Sequence, residues 1–487
     1  MPLSRRLTTG LGMAAVATLA MITGAPLTVV AAPAPAHVTA ARDAASWLAG
    51  EFTDGSLPGP FTPEDWGLTI DGLVALSATG VDAPTRKAAT AQVAKHVRSY
   101  NSFDDWGIEG FTDGGATAKL LYAATAAGAD PTDFGGYDLR AETLSLIAGA
   151  DAGHQRGRIT SRTTADSGPD AGNTFDQSFA VLGLARSGDL PQDTVDFLIR
   201  QQCAAGGFRL YPDTADGPSP SCDEQPGATL DVDSTAMAVQ ALLAAAEDGA
   251  TGAGDAARKG AGWLVTQQHA DGSFGGSGPT TGANSNSTGL AGQALAAAGR
   301  DDDAARAATA LATLQLTAGS GGAASADAGA IAYNTDGLTA AKANGITDTD
   351  RDQWRRATAQ ALLGLAQVPL GRIGLDPPPT SPEPTPSGTA SPTASPTTTG
   401  SPTPTGTASP TPSATVTSPS QPPAPTTAAP ATTAAPATAA PPGTTPAAPG
   451  LGGLPTTGAA ITSYLLVALL LVGGGVTLLV LGRRRAT

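Results

Sequence analysis

Residues 257–300 read ARKGAGWLVTQQHADGSFGGSGPTTGANSNSTGLAGQALAAAGR. The stretch opens as a helix whose apolar residues cluster at Trp263, Leu264 and Val265. A glycine-rich turn follows from Gly272 to Gly278, and an alanine-rich helix runs from near Asn286 to Gly299. Asn or Ser ahead of an apolar run marks a helix start, because its side chain accepts from the first unpaired amides. Glycine behind such a run marks a stop, because it adopts the left-handed conformation at little steric cost. The same order recurs one unit upstream. Phe197-Leu198-Ile199-Arg200-Gln201-Gln202 lies on Trp263–Gln268, Gly206-Gly207-Phe208 on Gly272-Ser273-Phe274 without a gap, and Asp233–Leu242 on Asn286–Leu295. Self-similarity in a fixed order means stacked helix pairs, each burying its apolar face only against its neighbours.

The spacing Gln202…Gly206-Gly207-Phe208 and Gln268…Gly272-Ser273-Phe274 resembles the signature of the prenyltransferase and squalene-cyclase repeat family, with Phe where that family usually carries Trp. The resemblance implies an all-α domain, an α6/α6 toroid of six helix-pair repeats with six parallel inner helices, six outer ones and a central cavity. It implies no activity, because function resides in a site and not in a fold. Second helices are anchored at Asp71, Thr117, Gln177, Thr235, Thr288 and Asp336. They run to Gly80, Gly128, Gly188, Gly249, Gly299 and Gly345. A last helix, from Asp350 to Val368, is left without a partner and is expected to close the assembly. The toroid is assigned to 37–375.

The flanks differ in kind. Residues 1–36 read as a signal peptide: Arg5-Arg6, an apolar run from Leu11 to Val30, and Ala34-Pro35-Ala36 as a cleavage site before His37. Residues 376–453 turn to Pro, Thr, Ser and Ala, a composition without the apolar residues a core needs, and are read as a disordered stalk. Residues 454–487 carry Leu454-Pro455-Thr456-Thr457-Gly458, an apolar span at 461–481 and Arg483-Arg484-Arg485. At about 1.5 Å per residue the span is long enough for one transmembrane helix, with the arginines held in the cytoplasm. The order resembles the LPxTG sorting signal of sortase substrates. That resemblance implies cleavage between Thr457 and Gly458 and transfer of the Thr457 carboxyl to a cell-wall amine. Sortase and peptidoglycan are then the partners, the membrane is met only through this helix before sorting, and the product is a secreted protein fixed to a Gram-positive wall.

The net charge is −15, and every acidic residue lies between Asp43 and Glu383. An acidic domain of this kind argues against a nucleic-acid partner, which needs a basic face.

Residues that bear chemistry are few. Asp231-Val232-Asp233-Ser234 resembles the DxDD motif of class II terpene cyclases, whose central Asp is a general acid; Asp233 takes that place, and Ser234 replaces the last Asp. The plainer reading is that Asp233, aligned with Asn286, caps the inner helix. No Asp, Cys and His set converges for zinc, so no metal and no cofactor is expected. Cys203 and Cys222 are the only cysteines and are expected to form a disulfide across an inserted loop. Cys222-Asp223-Glu224-Gln225 also resembles the internal thioester of complement-like proteins, which would make a covalent adhesin. Asp65-Trp66-Gly67 and Asp105-Trp106-Gly107 repeat one tripeptide ahead of the second helix. With Asp233 these pairs are candidates for the cavity mouth, where they would stack on a sugar or a prenyl chain; the plainer reading is a cap and a core aromatic. With no complete catalytic set, the sequence favours a binding or interaction module for an extracellular ligand, an apolar one included. A terpene-cyclase-like enzyme using Asp233, with Asp231 beside it, and a thioester adhesin are the alternatives.

Overall fold

The computed structural model describes residues 33–214, 217–218 and 220–375. The segments read as a signal peptide, up to residue 32, as a stalk and as a sorting signal with its apolar span lie outside the described residues. Within them no helix is long and apolar enough to cross a membrane.

Helices dominate. In chain order they are α1 (Pro35–Gly50), α2 (Trp66–Thr79), α3 (Ala83–Lys95), α4 (Val97–Asn101) and α5 (Gly114–Ala126). Then come α6 (Leu139–Ser145), α7 (Thr174–Ser187), α8 (Gln192–Arg200), α9 (Val232–Glu247) and α10 (Ala253–Gln267). The last four are α11 (Ser285–Ala297), α12 (Asp301–Thr313), α13 (Thr335–Asn344) and α14 (Arg351–Ala366). Six of them, α2, α5, α7, α9, α11 and α14, form an inner layer. Each packs on the next in that order, and α14 returns to pack on α2, so the ring closes. These helices bury most of their residues, on more than one side; α11 is buried at every residue. The outer helices bury one stripe instead, as α8 does with Thr194, Val195, Phe197 and Leu198. Helix α10 packs on α9 and α11, α12 on α11 and α14, and α1 on α14 and α2.

Small residues set how closely the inner helices approach. Gly289 of α11 and Gly364 of α14 meet backbone to backbone: a Cβ on Gly364 would stand 2.8 Å from Gly289 Cα. Each inner helix before α14 begins with an Asp or Asn cap. Asp65 accepts from the Leu68 amide, Asp113 from Ala116, Asn173 from Phe175 and Asp176, Asp231 from Ser234, and Asn284 from Ser287. The cap of α9 is therefore Asp231. Asp233 and Asn286 do align, each as the second residue of its helix, but neither is the cap, which lies two residues earlier at Asp231 and Asn284.

The glutamine of the repeat has a structural task. Gln202 Nε2 donates to Gly206 O (2.8 Å) in its own turn and to Ala256 O (2.9 Å) in the next outer helix. Gln268 Nε2 does the same with Gly272 O and Asp303 O. A third copy, not apparent from the sequence spacing, is Gln315, whose Nε2 donates to Gly329 O (3.0 Å) and to Ala40 O (2.8 Å) in α1. Each turn glycine lies against the backbone it faces. Gly272 (φ 89°) would place a Cβ 2.4 Å from Arg306 O, and Gly329 (φ 104°) would place one 2.4 Å from Asp43 O, so both left-handed conformation and size require glycine there. The residue after the turn is buried and tied to the inner layer: Phe208, Phe274 and Ile331 donate their amides to Thr235, Thr288 and Thr358 Oγ1.

Three expectations are corrected by this pattern. Thr358 marks α14 as the sixth inner helix, partnered by α12 and α1 rather than standing alone. Helix α13, the expected sixth through Asp336, buries only Leu338 and Ala341, and its satellite cluster includes Leu316 and Trp354. The first anchor also shifts, from Asp71 to Thr69, whose Oγ1 accepts from the Leu57 amide.

Candidate functional site

The helix starts gather at one end of the ring. Asp233 lies at the junction of α9 and α11, hydrogen-bonded to Ser287, with Gly276 so close that a Cβ there would be 2.9 Å from Asp233 Oδ2. Its Oδ1 makes no hydrogen bond within the protein. Burial pushes its carboxyl up to about 7, Asp231 adds to the shift, and the Ser287 bond opposes it. Asp231 is spent as the cap, accepting from both the amide and the hydroxyl of Ser234 at 2.6 Å. Tyr333, beside Asp233, is raised above the ordinary phenol range, by burial first and then by that carboxylate.

A second acidic group sits where α5 meets α7. Asp176 closes a capping box by accepting from the Asn173 amide (2.8 Å), while its Oδ1, pressed against Gly115, has no hydrogen-bond partner within the protein. Burial and the neighbouring Asp113 hold Asp176 well above the usual carboxylate range. Burial pushes Asp113 up to about 6, the Ala116 amide pulling against it and Asp170 adding to it. Arg158 answers part of this charge, with Nη2 3.5 Å from Asp170 Oδ2.

The ring axis is different in character. A cavity of about 30 Å³ is lined by Asp71, Lys119, Tyr122, Phe179, Gln360 and Leu370 among others. Lys119 Nζ meets Asp71 Oδ1 at 2.6 Å, and the ammonium also lies 5.8 Å from the Phe179 ring centre. Burial opposes the charge on Lys119, but Asp71 outweighs it and holds the ammonium above its usual range. Gln360 Oε1 has no hydrogen-bond partner within the protein.

None of the residues proposed from sequence for the cavity lines this axis. Asp65 caps α2 and pairs with Arg356 (2.5 Å). Trp66 opens α2 and stacks on His96, ring centres 4.0 Å apart. Asp105 and Trp106 lie on a single exposed 3-10 turn, with Trp106 51% exposed and tilted over Phe103. Asp233 is at the mouth. Cys203 and Cys222 are joined as a disulfide. That bond consumes the Cys222 sulfur, and Gln225 is engaged by Arg209 Nη1 (2.5 Å), so the thioester reading is not sustained. Among the described residues no cluster of His, Cys, Asp and Glu forms a metal site. The sequence reading missed Asp113, Asp176, Lys119 and Gln360. A signal existed for Lys119, a single cation inside the apolar run Ala118–Ala124.

No model of a known family matches the chain, and no curated protein does. Solved structures with a related arrangement have been found. A protein from Actinoplanes is 18% identical, with a TM-score of 0.44 over 68% of this chain and 99% of its own. An unsaturated glucuronyl hydrolase specific for heparin is 13% identical, with a TM-score of 0.45 over 69% and 98%. A type II terpene cyclase from Scytonema is 14% identical, with a TM-score of 0.44 over 68% and 98%. Likeness at this level assigns no activity to the chain.

Proposed function

We propose that this is an exported surface protein, sorted to the cell wall through Leu454–Gly458, that displays an α6/α6 toroid on a Pro/Thr-rich stalk as a binding module. The observation that carries the binding reading is the filled axis. A cavity of about 30 Å³ holds a water or two, whereas small-molecule pockets run to roughly 300–1,000 Å³. An isoprenoid has no room there, so the ligand is engaged at the mouth formed by the helix starts. Three exposed aromatic residues stand on segments leading into inner helices: Phe61 before α2, Trp106 before α5 and Tyr211 before α9. Flat apolar faces together with hydrogen-bonding carboxyls suit a polyhydroxylated ligand such as a glycan.

The test of the module is mass spectrometry of the protein secreted by its own producing cells, run native and then denatured. A carbohydrate mass lost on denaturation, and weakened retention on glycan in Trp106→Ala, is the expected result. No bound mass and no glycan retention by folded protein would sink it. Sorting is tested separately: Thr457→Ala should move the protein out of the wall fraction.

One observation favours an enzymatic reading. Asp233 is held near neutral with one oxygen unbonded, as a general acid requires. That reading engages an isoprenoid at the mouth beside Asp233, outside the filled axis, and predicts its turnover, lost in Asp233→Asn and kept in Asp231→Asn. A folded protein that turns over no isoprenoid removes it.

A further inference from the structure

The end of the ring away from the caps is closed by the chain's own last described residues. Helix α14 stops at Gln367, whose φ of 55° turns the chain. Val368–Leu375 then passes over the C-terminal halves of α11, α9, α7 and α5. Gln293 Nε2 donates to Val368 O (2.6 Å), and the Leu370 amide donates to Gln240 Oε1 (2.8 Å). The Tyr122 hydroxyl donates to Leu370 O (3.1 Å). Arg186 donates through Nη1 to Gly371 O (2.6 Å) and through Nη2 to Ile373 O (2.7 Å). Gln240 Nε2 donates in turn to Gln293 Oε1 (3.0 Å), which links two of these groups. On the far side Gly374 lies over Ala126 O, where a Cβ would stand 2.3 Å away. Leu370 and Ile373 are buried, and Leu370 forms part of the axial cavity wall.

The segment has no regular structure beyond one 3-10 turn at Leu370–Arg372. What holds its backbone is a set of side chains contributed by four different helices. Receptors of extended peptides work in this way: bonds to the main chain supply affinity, and a pocket for one side chain supplies selectivity. Here Leu370 is the anchoring side chain. Gln293, Gln240 and Tyr122 are buried beneath the segment, so a peptide that replaces it must satisfy the same groups.

We propose that the C-terminal mouth of the ring is a peptide-binding site, filled in cis by Val368–Leu375, that accepts the same sequence in trans from a second chain. The cis segment wins by effective concentration, which for a short connection is of millimolar order. The inference does not depend on wall anchorage or on the glycan reading.

The probe is a labelled synthetic decapeptide with the sequence of residues 366–375, added to the full chain. Saturable binding is expected to the Leu370→Asp chain, whose own stopper is weakened, and roughly 10-fold less to the unmodified chain. The same peptide with Leu replaced by Asp should not bind, and Arg186→Ala in the Leu370→Asp background should abolish binding. A folded Leu370→Asp chain that takes up no peptide overturns the proposal. Should that variant not fold, hydrogen exchange of the unmodified chain decides. The Leu370 and Ile373 amides should exchange by local opening, faster than those of α11, and faster still with excess peptide. Exchange only through global unfolding, unmoved by peptide, overturns it equally.

Discussion

Asp233 holds a proton more tightly in the folded chain than an ordinary aspartate does, its carboxyl being pushed up to about 7 by burial and by Asp231. Because the folded value is the higher one, this group's contribution to stability is present in acid and is lost as pH rises from about 4 through about 7. Asp233→Asn should therefore raise the melting temperature at pH 8, by about 2 °C or more, and change it little at pH 4. Thermal scans of both proteins at the two pH values check this; an equal effect at both would rule out the linkage. Lys119 presents the opposite case, a charge whose burial is tolerated because Asp71 is 2.6 Å away. Lys119→Ala leaves Asp71 alone in the ring axis and should cost about 3–5 kcal/mol in urea unfolding, whereas Asp71→Leu with Lys119→Met should recover most of that loss. The lysine was visible in the sequence as a lone cation in an apolar helix. Its partner was not, because Asp71 lies one repeat away and only ring packing brings the two together. The same holds for Asp113 and Asp176, ordinary helix-start acids until two helices bring them side by side.

Ring closure is a property of elements, and it rests on one recurrent device. Gln202, Gln268 and Gln315 each tie a turn to the backbone of the following outer helix, and for Gln315 the following helix is α1. Gln315→Ala should loosen the joint between the first and last units, cost about 1–3 kcal/mol in urea unfolding, and speed amide exchange in α1 before α10. Gly364→Ala tests the inner layer. The added methyl meets the Gly289 backbone and should cost about 1–3 kcal/mol, with no rescue from the gain in helix propensity. Two of the three glutamine turns were legible because Gly206 and Gly272 follow at a constant interval. The third was hidden by the longer loop between Gln315 and Gly329, so the sixth pair was read from Asp336. Asn334 does begin a helix there, accepting from the Gly337 amide. Cap chemistry says where a helix starts and nothing of which layer it joins. The run Ala357–Ala366, apolar or small on nearly every side, was the better mark of an inner helix.

At the scale of the whole domain, the joint between α8 and α9 carries the one covalent cross-link among the described residues. Cys203 and Cys222 are 19 residues apart in sequence and bracket the loop that holds Tyr211. The Cys222 amide is also bonded to Arg200 O (2.9 Å), and the Ala204 amide to Asp223 Oδ1 (2.8 Å), so both ends of the loop are seated without help from the sulfurs. The bond therefore acts mainly on the unfolded chain, where closing a loop of this length restricts the ensemble by about 3 kcal/mol. Reduction should lower the unfolding free energy in urea by that much and leave the helical circular dichroism of the native state unchanged, because Phe208 and both loop ends are seated on the ring by burial and hydrogen bonds that do not need the sulfurs. Cys203→Ser with Cys222→Ser should behave as the reduced protein does, and reductant should then have no further effect. A native spectrum that collapses on reduction would mean that the cross-link itself holds the folded ring together, and would overturn this reading. Uptake of methylamine by the unreduced chain at the Gln225 side-chain carbonyl, with release of a free Cys222 thiol, would mean that the sulfur is bonded to a carbonyl instead, and would return the loop to covalent chemistry.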